Sequence, residues 1–229
     1  MKKLLVSIFA LMLVAASAFA QNREPYDFSG SWYVGLYGGA HYNVYENYFA
    51  YGEHDRGWDL ITAQGGIAVG YEYNKIWSFR FTLEASRNAG AMNIRETADG
   101  IFRPYTFNAV DGFVDAIVNI MGVADDLNAW SPKIYGGVGA GYTFGFSDPH
   151  HPWQTLTTGN FAPGFRLGGI LQYDFRSDLG VYLDVNGTAF ADHYNGLKPA
   201  KSEQPKKGYA GFPLDVKGNV SLGIVYRFN

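Results

Sequence analysis

The stretch VKGNVSLGIVYRF, residues 216–228, sorts its side chains into two sets. Val216, Gly218, Val220, Leu222, Ile224, Tyr226 and Phe228 fall on one face. Lys217, Asn219, Ser221, Gly223, Val225 and Arg227 fall on the other. Successive side chains of an extended chain point to opposite sides, so the stretch reads as a strand with one face for hydrocarbon and one for water. The fold depends on which face is turned inward.

The same alternation recurs upstream. In 76–89, Trp77, Phe79, Phe81, Leu83 and Ala85 oppose Ser78, Arg80, Thr82, Glu84 and Ser86. In 60–73, Ile61, Ala63, Gly65, Ile67, Val69, Tyr71 and Tyr73 oppose Thr62, Gln64, Gly66, Ala68, Gly70 and Glu72. In 110–120, Val110, Val114, Ala116, Val118 and Ile120 oppose Asp111, Phe113, Asp115 and Asn119. Residues 133–146 set Ile134, Val138, Ala140, Tyr142, Phe144 and Phe146 against Lys133, Tyr135, Gly137, Gly139 and Thr143. Residues 165–175 set Phe165, Leu167, Gly169, Leu171 and Tyr173 against Arg166, Gly168, Ile170, Gln172 and Asp174. Residues 179–192 set Val181, Leu183, Val185, Gly187 and Ala189 against Tyr182, Asp184, Asn186 and Thr188. Near the start, Trp32, Val34, Leu36, Gly38 and Ala40 oppose Ser31, Tyr33, Gly35, Tyr37 and His41. That makes eight expected strands, each long enough to cross a bilayer at a tilt. An even number puts both chain ends on one side.

The chain has 229 residues and no cysteine. Lys2 and Lys3, the apolar run 4–16 and Ala18-Phe19-Ala20 read as a cleaved secretory signal over residues 1–20, leaving a domain over 21–229. The absence of cysteine excludes a lipid-modified cysteine anchor, a disulfide framework and a thiolate metal site. Without Lys2 and Lys3, 16 basic residues face 21 acidic ones, which argues against nucleic acid as a partner. Glycine is abundant at 29 residues and aromatics make up 17%, while charged residues, also 17%, fall below the usual quarter. After the signal no apolar run reaches membrane-helix length. An all-β soluble protein and a membrane barrel remain.

The connectors separate these two. Long ones, at about 43–59, 87–105, 147–160 and 193–213, alternate with short ones at 74–75 and 176–178. Only 121–132 is longer than that rhythm expects. Long external loops and short periplasmic turns are the habit of outer-membrane barrels. Gly30-Ser31-Trp32 also fits the G-x-W that opens the first strand of lipocalins, soluble barrels with an apolar interior. An eight-stranded barrel is narrow, with an interior just filled by side chains or holding one small ligand. Trp77, Phe79, Phe81, Leu83, Phe165, Leu167, Leu171, Leu222, Ile224, Tyr226 and Phe228 would overfill it. With the apolar set outside, the lumen takes small residues and charges of both signs. The expectation is an all-β, eight-stranded antiparallel transmembrane up-and-down barrel, closed so that no strand edge faces lipid.

Several aromatics fall near the periplasmic ends of their strands: Trp32, Tyr71, Tyr73, Trp77, Tyr173, Tyr226 and Phe228. Amphipathic rings at that level predict an interfacial girdle. Inside, Arg80, Glu84, Arg166, Asp184, Lys217 and Arg227, with Asp111 and Asp115 nearby, are expected to form an ion-pair network that plugs the barrel. Buried singly, each would be costly; paired, they satisfy one another.

The Gly35-to-Gly39 start, GLYGG, and the closing Tyr226-Arg227-Phe228 resemble small outer-membrane β-barrel proteins of Gram-negative bacteria, the OmpA-barrel, OmpX and OmpW-like porin-family group. The resemblance spans the mature chain. It implies outer-membrane localisation with both termini periplasmic, contact with outer-membrane lipid and lipopolysaccharide, and a monomer. It also implies that Tyr226 and Phe228 form the signal read by the barrel-assembly machinery. The chain departs from the pattern where Asn229 follows the terminal Phe, and where the peptidoglycan-binding domain of full OmpA-type proteins is absent.

Catalytic and metal motifs find no context. None of the five histidines has serine two residues on, the spacing of the lipid A deacylase type. His54-Asp55 and Asp192-His193 are adjacent pairs whose side chains diverge on an extended chain. His150-His151 with Asp148 reads as a solvated loop rather than a metal site. Gly136-Gly137-x-Gly139-x-Gly141 lies within a strand with no helix after it, so it is no nucleotide loop. No catalytic residue, cofactor or metal is expected. The first long loop is aromatic, with Tyr42, Tyr45, Tyr48, Phe49, Tyr51 and Trp58, and is expected to be available for a host or envelope partner. The alternatives are a porin-like channel for small solutes and, third, a soluble lipocalin-like ligand-binding barrel.

Overall fold

The computed structural model describes residues 28–44, 60–91, 104–147, 159–191, 193–196 and 214–228. Among them the chain forms β1 (Ser31–Val44), β2 (Ile61–Glu72), β3 (Trp77–Ala91) and β4 (Pro104–Asn119), then a one-turn helix α1 (Ile120–Ala124). β5 (Trp130–Ser147), β6 (Asn160–Asp174), β7 (Leu179–Ala191) and β8 (Leu214–Phe228) complete it. Each strand pairs antiparallel with its sequence neighbours, and β8 returns to β1, so the sheet closes as an eight-stranded barrel. Closure satisfies every edge without a partner chain.

Burial follows the period of two. Trp32, Ile67, Phe81, Leu167 and Leu222 are exposed on the outer wall, while Arg80, Asp115, Arg166, Lys217 and Arg227 are buried in the lumen. The apolar set therefore faces out, and the soluble-barrel alternative, which needs the reverse, is overturned.

The strands run longer than the alternation indicates: β4 starts at Pro104, ahead of 110, and β6 at Asn160, ahead of 165. The 121–132 connector is partly helical and gives up its last residues to β5. Asn119 caps α1, its side chain accepting from the Met121 N–H at 3.1 Å, and β5 begins at Trp130. The other short turns are held locally: Asn74 Oδ1 accepts from the N–H groups of Ile76 and Trp77, and Arg176 pairs with Asp178.

Phe146 corrects the expected outer face of β5. The β4–β5 register shifts between Thr106 and Asn108, opposing two β5 residues to one on β4. Gly145 occupies this bulge at φ +66, a left-handed conformation that glycine adopts without strain. The extra residue turns Phe146 onto the lumenal ring cluster, where it stacks on Phe107 at 4.7 Å.

The lumen is filled. One cluster joins Tyr33, Ile117, Tyr135, Ile170, Tyr182 and Val225; another, toward the long connectors, joins Tyr105, Phe107, Phe113, Phe190 and Tyr194. Inward glycines make room for large neighbours. A Cβ on Gly137 would overlap the Asp115 carboxylate, and one on Gly141 would overlap that of Asp111. The glycine run of β5 is thus explained by close approach across the sheet.

Candidate functional site

The charged lumenal side chains form three tiers along the barrel. The tier nearest the short turns joins the ends of β2, β6 and β8 to the start of β5. Lys133 Nζ donates to Glu72 at 3.1 Å, and Arg227 Nη1 to Asp174 at 2.8 Å. Arg227 also lies 4.0 Å from Glu72, and Gln172 donates to Asp174 at 2.8 Å. The Phe28 ring covers the Arg227 guanidinium at 3.6 Å.

The middle tier is built on Asp115. Arg166 approaches it through Nε at 2.7 Å and Nη2 at 2.6 Å, and Arg80 Nε donates to it at 2.7 Å. Arg80 Nη1 continues to Asp184 at 3.0 Å, which also accepts from the Tyr135 hydroxyl at 2.8 Å. Arg166 Nη2 donates to Thr82 at 2.6 Å. The arginine planes lie over rings: Arg80 over Tyr135 and Arg166 over Phe113, each at 4.6 Å.

The tier nearest the long connectors centres on Lys217. Its ammonium donates to Asp111, reaches Glu84 at 3.5 Å and donates to the Tyr194 hydroxyl at 3.3 Å. The Tyr194 hydroxyl donates to Asp111 at 3.0 Å, and the Tyr37 hydroxyl to Glu84 at 3.3 Å. Tyr194 lies beyond the end of β7. Burial, then the Asp111 charge, push its hydroxyl pKa well above the usual phenol value. Its ring stacks on Phe190 at 4.0 Å, covering the tier. Nearby, Asp215 accepts from both the N–H and the side-chain amide of Asn195 at 2.9 Å.

The eight charges singled out from sequence are therefore divided among tiers. Arg80, Asp115, Arg166 and Asp184 meet in the middle; Glu84, Asp111 and Lys217 meet above; Arg227 stands below. Glu72, Lys133 and Asp174, absent from the expected network, complete the lower tier. Their shared nearness to short turns was the available signal. Tyr194 and Asn195 had none, since they arrive from a connector.

Outside, Trp32, Tyr73 and Trp77 are exposed near the short-turn end, with Tyr71 half-buried against Trp32 at 5.1 Å. Tyr173 keeps outer-wall parity but is buried, its ring 4.8 Å from Trp130. Tyr226 and Phe228 are exposed and in edge contact at 5.1 Å. His54-Asp55, Asp148 with His150-His151, Asp192, residues 1–20 and the first-loop aromatics beyond Tyr42 lie outside the described residues. No cluster of three metal-ligating side chains occurs among the described residues.

A closed eight-stranded barrel with an apolar wall and a polar, ion-paired lumen defines an outer-membrane barrel. The family model for the outer membrane protein beta-barrel domain matches residues 6–228, and the chain belongs to that family. It is a transmembrane barrel of the bacterial outer membrane. Sequence comparison with curated proteins finds no match. Among solved structures, Neisserial surface protein A is 12% identical, with 86% of this chain and 97% of that one covered and a TM-score of 0.52. OprG from Pseudomonas aeruginosa is 12% identical, with 88% and 97% covered and a TM-score of 0.49. Ail, the attachment invasion locus protein of Yersinia pestis, solved with the heparin analogue sucrose octasulfate, is 15% identical, with 87% and 99% covered and a TM-score of 0.47. At these identities the likeness is one of fold.

Proposed function

We propose that this chain is a non-enzymatic surface protein of the outer membrane, with a sealed barrel as anchor and the long connectors as its contact surface. The reading includes a cleaved leader over 1–20, a monomeric barrel over 21–229, periplasmic termini, and Tyr226 and Phe228 as the assembly signal. A host or envelope partner would meet the long connectors.

One observation carries the reading: three ion-paired tiers stand in series across a lumen whose remaining space is taken by rings and hydrogen-bonded polar side chains. An ion crossing it must break charge-assisted bonds that hold one another in a low dielectric, and it gains no hydration in exchange. Planar-bilayer recording of the purified protein tests this. The expected trace shows no steady conductance; a large, stable conductance overturns the sealed anchor in favour of a solute channel. Loss of surface adhesion on deleting residues 45–56 is the expected sign that the first connector carries contact, and unchanged adhesion removes it from that role.

A further inference from the structure

Arg87 is the one charged side chain on the outer wall among the described residues. It keeps the outward parity of Trp77, Phe79, Phe81, Leu83 and Ala85 on β3, and it is exposed. All other outward positions of the eight strands are apolar, aromatic, glycine, proline or neutral polar. No described side chain pairs with it.

Its height limits what it can meet. Ten residues separate Arg87 from the Trp77 girdle. At about 3.3 Å per residue and a tilt of about 40°, that is roughly 25 Å of height, one apolar band. A cation on a barrel wall is costly at the bilayer midplane and nearly neutral at the interface. Arg87 thus stands at the headgroup level on the long-connector side. If that side is external, as in the proposed function on which this inference rests, the lipid there is the phosphorylated glycolipid of the outer leaflet.

The surroundings fit such a lipid. Arg87 is the register partner of Asn108, which in turn pairs with Phe144. Beside them opens a cleft of about 430 Å³ whose lining includes Ala63, Ala85, Asn108, Val110 and Phe144. The methyl side chains of Ala63 and Ala85 leave a recess wide enough for acyl chain. The guanidinium offers a planar fork that matches a phosphate, and the Asn108 amide offers a further donor.

We infer that Arg87 and Asn108 bind a phosphate of lipid A, with an acyl chain in the Ala63–Ala85 recess. Native mass spectrometry of the full chain in detergent tests this, with diphosphoryl lipid A, dephosphorylated lipid A and phosphatidylglycerol as probes. The wild type is expected to hold diphosphoryl lipid A about tenfold more tightly than R87Q, with R87K, which keeps the charge but loses the fork, falling between them. Dephosphorylated lipid A should bind wild type and R87Q alike. Equal binding of diphosphoryl lipid A by wild type and R87Q, or a preference for phosphatidylglycerol, overturns the site. Heat-modifiable gel migration verifies that both variants are folded. Orientation is read separately, from maleimide labelling of intact cells carrying S202C or S177C. Labelling of S202C alone keeps the long connectors outside, so unchanged R87Q binding then sinks the lipid site by itself. Labelling of S177C alone overturns the orientation and the lipid A assignment together.

Discussion

The middle and upper tiers of the lumen solve the same problem with different chemistry. The middle tier sets two arginines against two aspartates, with Asp115 bridging both guanidinium groups at 2.6–2.7 Å. The upper tier sets one ammonium, Lys217, against two carboxylates, Asp111 and Glu84, and fills the remaining acceptor capacity with the hydroxyls of Tyr194 and Tyr37. A guanidinium is planar and permanently charged, so it fixes direction and cannot shed its charge. An ammonium is a point charge, and the hydroxyls beside it can turn to follow the carboxylates. The middle tier is therefore rigid and intolerant, while the upper tier has a way to relax. The upper tier also depends on a connector, since Tyr194 lies beyond β7, whereas every charge of the middle tier is on a strand.

Replacing Asp115 breaks the comparison at its stiffest point. D115N leaves Arg80 and Arg166 charged, buried and facing each other. A loss of about 3–5 kcal/mol is expected, as for a buried pair stripped of one partner. Urea unfolding in lipid vesicles measures it, and a loss below 1 kcal/mol would mean that water already solvates the two arginines. K217M makes the matching cut in the upper tier. Asp111 and Glu84 keep the Tyr194 and Tyr37 hydroxyls as donors, so the expected loss is smaller, about 2 kcal/mol. A loss equal to that of D115N would erase the distinction between the tiers.

The outer wall was legible in the sequence because it obeys one rule: a side chain facing lipid must be apolar, and the period of two reports it residue by residue. Leu222 and Phe81 need no knowledge of their neighbours. The lumen was legible only as a list of charges. Which of them meet depends on register and on chords across the barrel. Arg80 and Asp115 are register partners on adjacent strands, but Arg80 and Asp184 are 104 positions apart and Arg227 and Asp174 are 53 apart. No local pattern encodes such chords. Phe146 was misread for a different reason. One inserted residue reverses parity, and a glycine that permits a bulge looks in sequence like any other strand glycine.

Gly145 permits a smaller test at the rim of the upper tier. G145A forces a side chain into a left-handed backbone at φ +66, at about 1 kcal/mol. If the residue instead relaxes out of the bulge, Phe146 returns to the outer wall and leaves the Phe107 stack. A nitroxide spin label on F146C, in a chain with no other cysteine, distinguishes these, since only an outward label reports acyl chains.

The smallest effect is expected outside both tiers, at Lys75 and Asp125 in the short-turn region. Their ammonium and carboxylate are 2.6 Å apart, closer than many lumenal pairs, yet Asp125 is fully open to water. The hydrogen bond from Lys75, then its charge, hold the Asp125 carboxyl below the usual range. A carboxyl depressed in the folded state contributes above its unfolded pKa, and the contribution fades as pH falls through the folded value. K75A should raise the Asp125 titration midpoint in an NMR pH series and leave urea unfolding at neutral pH unchanged, because solvent screens an exposed pair. A measurable stability loss in K75A would mean that distance, rather than burial, ranks these ion pairs. The contrast between the middle and upper tiers would then need another cause.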